Sequence, residues 1–174
     1  MAITVQANPV NLTWSNFTVT PNKILDPNDN TLQDSYTTFR YNIPDLPPRT
    51  LNGQLALADP LNITITPHAR VWSGVQQTAA LLSHEEWHYH VGIVVARAFA
   101  REAARLRAAD MSGLRTVFLT TFNLHFITRV HLLQSRYDRD TQHGTQAHYQ
   151  KIWKDRMTVC LANSNSDQIG GFWL

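Results

Sequence analysis

The sequence predicts an α+β domain in which a small antiparallel sheet is followed by long helices. Short alternating segments of β-branched and aromatic residues, separated by Pro/Asn/Asp turns, fill residues 1–72. From about Val75 the chain becomes dense in Ala, Leu, Arg and Glu, with apolar residues near a 3.6-residue period. With 174 residues, 43% hydrophobic and 16% charged, the chain suits one globular domain.

In chain order, the β-rich part (1–72) offers Ile3-Thr4-Val5, Phe17-Thr18-Val19-Thr20, Tyr36–Tyr41 and Ile63-Thr64-Ile65-Thr66 as strands. Asp26–Asn30, Pro44–Pro48 and Asp59-Pro60 are the turns between them. Connections this short favour antiparallel pairing. Asp26, Asn28 and Asn30 have the alternate spacing of a calcium loop. Thr31 stands where such a loop needs glycine and Thr37 where it needs Glu, so a plain polar turn is expected.

The helical part (73–161) begins with Ser73 as a possible cap and a helix over Gln76–Ala109, a span without proline. Asp110–Gly113 turns the chain into a second helix from about Leu114 to Gln142, striped by Phe118, Phe122, Phe126, Val130 and Leu133. His143-Gly144 breaks that helix, and Thr145 can cap a last one reaching about Leu161. The tail 162–174 is polar until Phe172-Trp173, which is placed to dock back.

A net charge of +2 and the absence of a Lys/Arg run argue against a nucleic-acid partner. No apolar run of about 18 residues argues against a membrane partner. The one cysteine, Cys160, reads as a small buried hydrophobe. Asn11, Asn16 and Asn62 begin Asn-x-Thr, which matters only in a glycosylating pathway. Oligomeric state is not legible.

The chemistry centres on Ser83–His88, which contains His-Glu-x-x-His. On a helix, His84 and His88 share one face and can bind one metal ion. Zinc is the expected ion, and Glu85 is placed as general base. A catalytic zinc needs a third protein ligand. Six residues after His88 stands Val94, and the only later Glu, Glu102, lies about 21 Å along the same helix. The third ligand must then be His or Asp. Tyr137-Asp138-Arg139-Asp140-Thr141-Gln142-His143-Gly144 supplies both types where a helix breaks. His143 is the expected ligand, with Asp138 and Asp140 as alternatives and His125 as the substitute should His143 fail.

His84-Glu85-x-x-His88 followed by Tyr137-Asp138-x-x-Thr141-x-His143-Gly144, then Gln150 and Trp153, resembles a bacterial family of uncharacterised, predicted secreted zinc-dependent proteases. Trp14-Ser15-x-Phe17 and Val71-Trp72-Ser73 share the likeness, which covers about residues 12–157. Glu86-Trp87 departs from the small or uncharged residues common there, and Trp87 is bulky enough to alter packing behind the site. The resemblance implies a zincin-like metallopeptidase acting on a peptide or protein substrate. It also implies a secreted or periplasmic location; no leader is visible at the N-terminus, which keeps the cytoplasm open.

The expected function is zinc-dependent peptide-bond hydrolysis, with His84, His88 and His143 as metal ligands and Glu85 as base. Tyr137 is the expected oxyanion donor, and Asp138 the carboxylate that orients a ligand imidazole. A strand within Ile63–Trp72 is expected to offer an edge to the peptide. A non-catalytic zinc protein and a hydrolase of a non-peptide bond are the alternatives.

Overall fold

The computed structural model describes residues 3–27, 29–45 and 47–174, so Asn28 of the calcium-type spacing lies outside the described residues. The chain is α+β, as its sequence predicts. Its strands are β1 (Ile3–Ala7), β2 (Phe17–Thr20), β3 (Ile24–Leu25), β4 (Leu32–Gln33), β5 (Ser35–Asn42), β6 (Arg49–Leu51), β7 (Gln54–Ala56) and β8 (Leu61–Trp72). The helices follow: α1 (Ala79–Ala103), α2 (Met111–Asn123), a π-helical stretch Leu124–Arg129, α3 (Val130–Thr141) and α4 (Ala147–Ala162). A short hairpin, β9 (Gln168–Ile169) and β10 (Phe172–Trp173), closes the chain.

β8 organises the main sheet. It pairs antiparallel with β5 from Ser35↔Val71 to Asn42↔Thr64, and in parallel with β1 over Leu61–Ile65 and β2 over Ala69–Trp72. Because β5 covers residues that β1 and β2 also pair with, β1 and β2 share the opposite edge of β8, end to end. β8 is therefore an interior strand and offers no edge to a peptide, a correction to the expectation from sequence. Pro67 fits this arrangement. The Trp72 N–H donates to Asp34 O at 2.8 Å, which fixes the alternation of bonded pairs. By that alternation the ring nitrogen of Pro67 points to the gap between β1 and β2, where no ladder bond is lost. The same alternation turns the backbone N–H and C=O groups of Ser35, Thr37 and Phe39 to the outer edge of β5. No strand pairs with that edge among the described residues.

Odd-numbered residues of β8 such as Ile63, Ile65 and Val71 are fully buried, while Asn62, Thr66 and His68 face solvent. The sheet thus packs one face on the helices. α1 lies against β5 because Gly92 has no side chain: a Cβ there would come within 2.8 Å of the Phe39 ring. The Tyr41 hydroxyl donates to Gly92 O at 3.4 Å in the same contact.

Helix boundaries differ from the sequence reading for tertiary reasons. Thr78, not Ser73, caps α1, accepting from Leu81 N. α1 ends at Ala103 because Ala108 exchanges backbone hydrogen bonds of 2.8 and 3.0 Å with Leu55 of β7. Asp110 caps α2 by accepting from Gly113 N. The π stretch accounts for the phenylalanine stripe: four-residue steps drift about 40° each on a 3.6-residue helix, and a wider turn absorbs the drift. Phe126, Val130 and Leu133 consequently all reach the core. Ile169 and Leu174 of the tail are buried, whereas Trp173 is exposed. No helix among the described residues is long and apolar enough to cross a membrane.

Candidate metal centre

The first half of α1 places His84 and His88 one turn apart, both buried. Their Nε2 atoms lie 3.2 Å from each other. Asp138, on α3, brings Oδ1 to 3.3 Å from His84 Nε2 and 2.9 Å from His88 Nε2. A tetrahedral ion with bonds of about 2.0–2.1 Å holds its ligand atoms about 3.3 Å apart. The three atoms already stand near that spacing. They form the one such His/Asp cluster among the described residues.

The polar accounting points the same way. Buried polar atoms ordinarily have partners. Here Asp138 Oδ1, Glu85 Oε2 and Thr37 Oγ1 are all buried without an aligned hydrogen bond. His84, Glu85, Asp138 and Thr37 line one small cleft, together with Ser35, Tyr36, His88, Gln134 and His143. Its volume is about 40 Å³, enough for an ion and a water molecule or two. Nitrogen and carboxylate donors at this spacing suit zinc.

Electrostatics couples the cluster. Burial alone would lower the His88 pKa, but the Asp138 carboxylate beside it outweighs burial and raises it. Burial likewise works to raise the Asp138 pKa, and the two imidazoles reverse that and hold it well below the usual carboxylate range. Tyr36, at the cleft wall, has its pKa pushed up to about 12 by burial and the nearby Asp26 carboxylate.

Glu85 is 2% exposed and lines the same cleft as His84 and His88. Its Oε1 accepts a hydrogen bond of 2.5 Å from Ser35 Oγ on β5. Ser35 carried no sequence signal, since a lone serine in a strand belongs to no motif.

The residues of the second motif stand in positions different from those expected from sequence. Asp138, expected to orient an imidazole from outside, brings Oδ1 against both the His84 and the His88 Nε2 atoms. His143, expected as third ligand, lines the cleft but holds Nδ1 3.8 Å from Asp138 Oδ1 and Nε2 3.5 Å from Asp29 Oδ2. The reason is the break itself: Gln142, His143 and Gly144 are all left-handed, with φ of 46°, 51° and 86°. This turn lays Gly144, not His143, against His84. A Cβ on Gly144 would sit 3.1 Å from His84 Cγ.

Tyr137, expected as oxyanion donor, is 1% exposed. Its ring is stacked between Trp87 at 3.8 Å and His84 at 4.8 Å, so it backs the imidazole and does not line the cleft. Trp87 also donates from Nε1 to Trp153 O. The bulk noted at position 87 therefore fills the space behind the Tyr137 and His84 rings.

The remaining motif residues hold the turn. Thr141 Oγ1 donates to Tyr137 O, Gln150 Nε2 donates to Gly144 O, and Trp153 Nε1 donates to Asp140 Oδ2. Asp140 also pairs with Arg136, facing away from the cluster. His125 lies elsewhere, bonded to Thr121 O and Arg129, and Glu102 accompanies it at 3.4 Å. His125, the substitute expected from sequence, is thus not part of the His84, His88 and Asp138 cluster.

Comparison with protein-family models, with curated proteins and with solved structures returns no match to this chain.

Proposed function

We propose that this protein is a zinc-dependent peptidase that uses His84, His88 and Asp138 as metal ligands and Glu85 as general base. The observation that carries the reading is the tetrahedral spacing of the three ligand atoms beside a buried glutamate with one free oxygen. Asp138 replaces His143 in the ligand set expected from sequence.

Zinc bound there would supply Lewis acidity, polarising a carbonyl and lowering the pKa of a coordinated water. Glu85 Oε2 takes the proton of the attacking water and delivers it to the leaving amine as the C–N bond breaks. His143, at the cleft beside Asp138, is placed to donate to the carbonyl oxygen as negative charge develops on it. Tyr137 keeps the His84 ring in position from behind.

Substrate recognition falls to β5. The cleft runs along Gln33–Thr37, five consecutive residues. A strand presents consecutive residues only along an edge. The outward N–H and C=O groups of Ser35 and Thr37 can pair with an extended peptide and set its carbonyl over the metal.

The test is cleavage of a mixed peptide library followed by mass spectrometry. Cleavage that chelator abolishes and added zinc restores is expected. Stoichiometric zinc binding without cleavage would favour a non-catalytic zinc protein, and cleavage that survives chelation would overturn the metal-dependent reading.

A further inference from the structure

Glu85 must present one carboxylate oxygen to the cleft in a fixed direction, although a glutamate side chain turns about three bonds. Its neighbour Glu86 is tied elsewhere, accepting from Leu12 N at 3.1 Å. The contact that fixes Glu85 is the Ser35 hydroxyl, 6% exposed, at 2.5 Å from Oε1. An ionised carboxylate only accepts, so the serine donates. Charge-assisted O–H···O bonds of this length are among the strong ones. With Oε1 held, Oε2 is left buried and free.

Ser35 is itself rigidly placed. It pairs with Val71 in the β5–β8 ladder, and α1 is pressed onto the same strand through Gly92 and Phe39. The helix therefore delivers Glu85, and the strand determines which oxygen of Glu85 is free. We infer that Ser35 is a positioning residue for the general base: it binds one carboxylate oxygen so that the other faces the attacking water. Its side chain serves the base, while its backbone faces the outer edge of β5, where the peptide would pair. The kinetic consequence rests on the peptidase reading; the Ser35–Glu85 coupling does not.

Two double-mutant cycles on the full zinc-loaded chain test this, with Ser35→Ala, Glu85→Ala and the pair. In the kinetic cycle, Ser35→Ala lowers kcat about tenfold or more with KM and zinc stoichiometry unchanged, and causes no further loss when Glu85 is already Ala. In the unfolding cycle, the two changes are non-additive by a factor of about five or more in the unfolding constant. Full kcat in Ser35→Ala, or the same loss with and without Glu85, overturns the proposal. If the wild type cleaves no peptide, the peptidase reading fails and the unfolding cycle decides alone: coupling upholds the contact, and additivity overturns it.

Discussion

Replacing Asp138 by Ala removes one of the three protein ligands of the proposed zinc centre. Apparent zinc binding energies in four-ligand sites run to about 10–16 kcal/mol, or roughly 2.5–4 kcal/mol for each ligand. Asp138→Ala is therefore expected to weaken zinc binding by roughly 10²–10³-fold. His143→Ala removes a group that lines the cleft but stands outside the His84, His88 and Asp138 cluster. Its loss belongs with outer partners, whose removal costs about 10–100-fold at most. The His84 and His88 pair remains in both variants, so the difference isolates the third position. Competition titration against a chromophoric chelator reads both affinities, with circular dichroism confirming the fold. If His143→Ala loses more affinity than Asp138→Ala, the ligand triangle drawn here is wrong.

Two further outcomes follow from the same geometry. In the metal-free protein, the raised His88 pKa gives stability that is complete below 6.5 and fades as pH rises through the folded value; the lowered Asp138 pKa gives stability present above 3.8 and lost as pH falls through its folded value. Zinc must displace the His88 proton, so its apparent affinity is expected to fall about tenfold from pH 6.5 to 5.5 through this group; titrations that agree at both pH values would contradict it. Tyr137→Phe keeps the ring stacked on Trp87 and His84, so kcat is expected to stay within about threefold of wild type. A loss of about 10² or more would return the hydroxyl to the oxyanion role.

The parts of this molecule that were legible in its sequence are the local ones. His84, Glu85 and His88 are fixed relative to one another by helix geometry, and no tertiary contact can separate them. The segment Tyr137–Gly144 was legible as the other half of the site because Tyr, Asp and His cluster there within eight residues at a helix break. What sequence could not supply was rotation. Tyr137 and Asp138 lie about 100° apart on α3, and packing decides which of them faces α1. The stack of Tyr137 on Trp87, with Trp153 behind, turns the tyrosine inward and leaves Asp138 at the cluster. The left-handed run at Gln142–Gly144 then carries His143 past the ligand position. Sheet order was hidden in the same way. β8 looks like any alternating strand, and only its partners make it interior and leave β5 as the edge. Ser35 had no local signal, because its role arises from a contact across 50 residues of sequence.

The most direct test of the account is turnover in Glu85→Gln at equal zinc occupancy. In the proposed mechanism Glu85 takes the water's proton without binding the metal, so the variant is expected to bind zinc as the wild type does and to lose about 10²–10⁴-fold in kcat against the best peptide substrate. Wild-type turnover by the zinc-loaded variant would contradict the claim that this glutamate, beside this metal triangle, performs the hydrolysis.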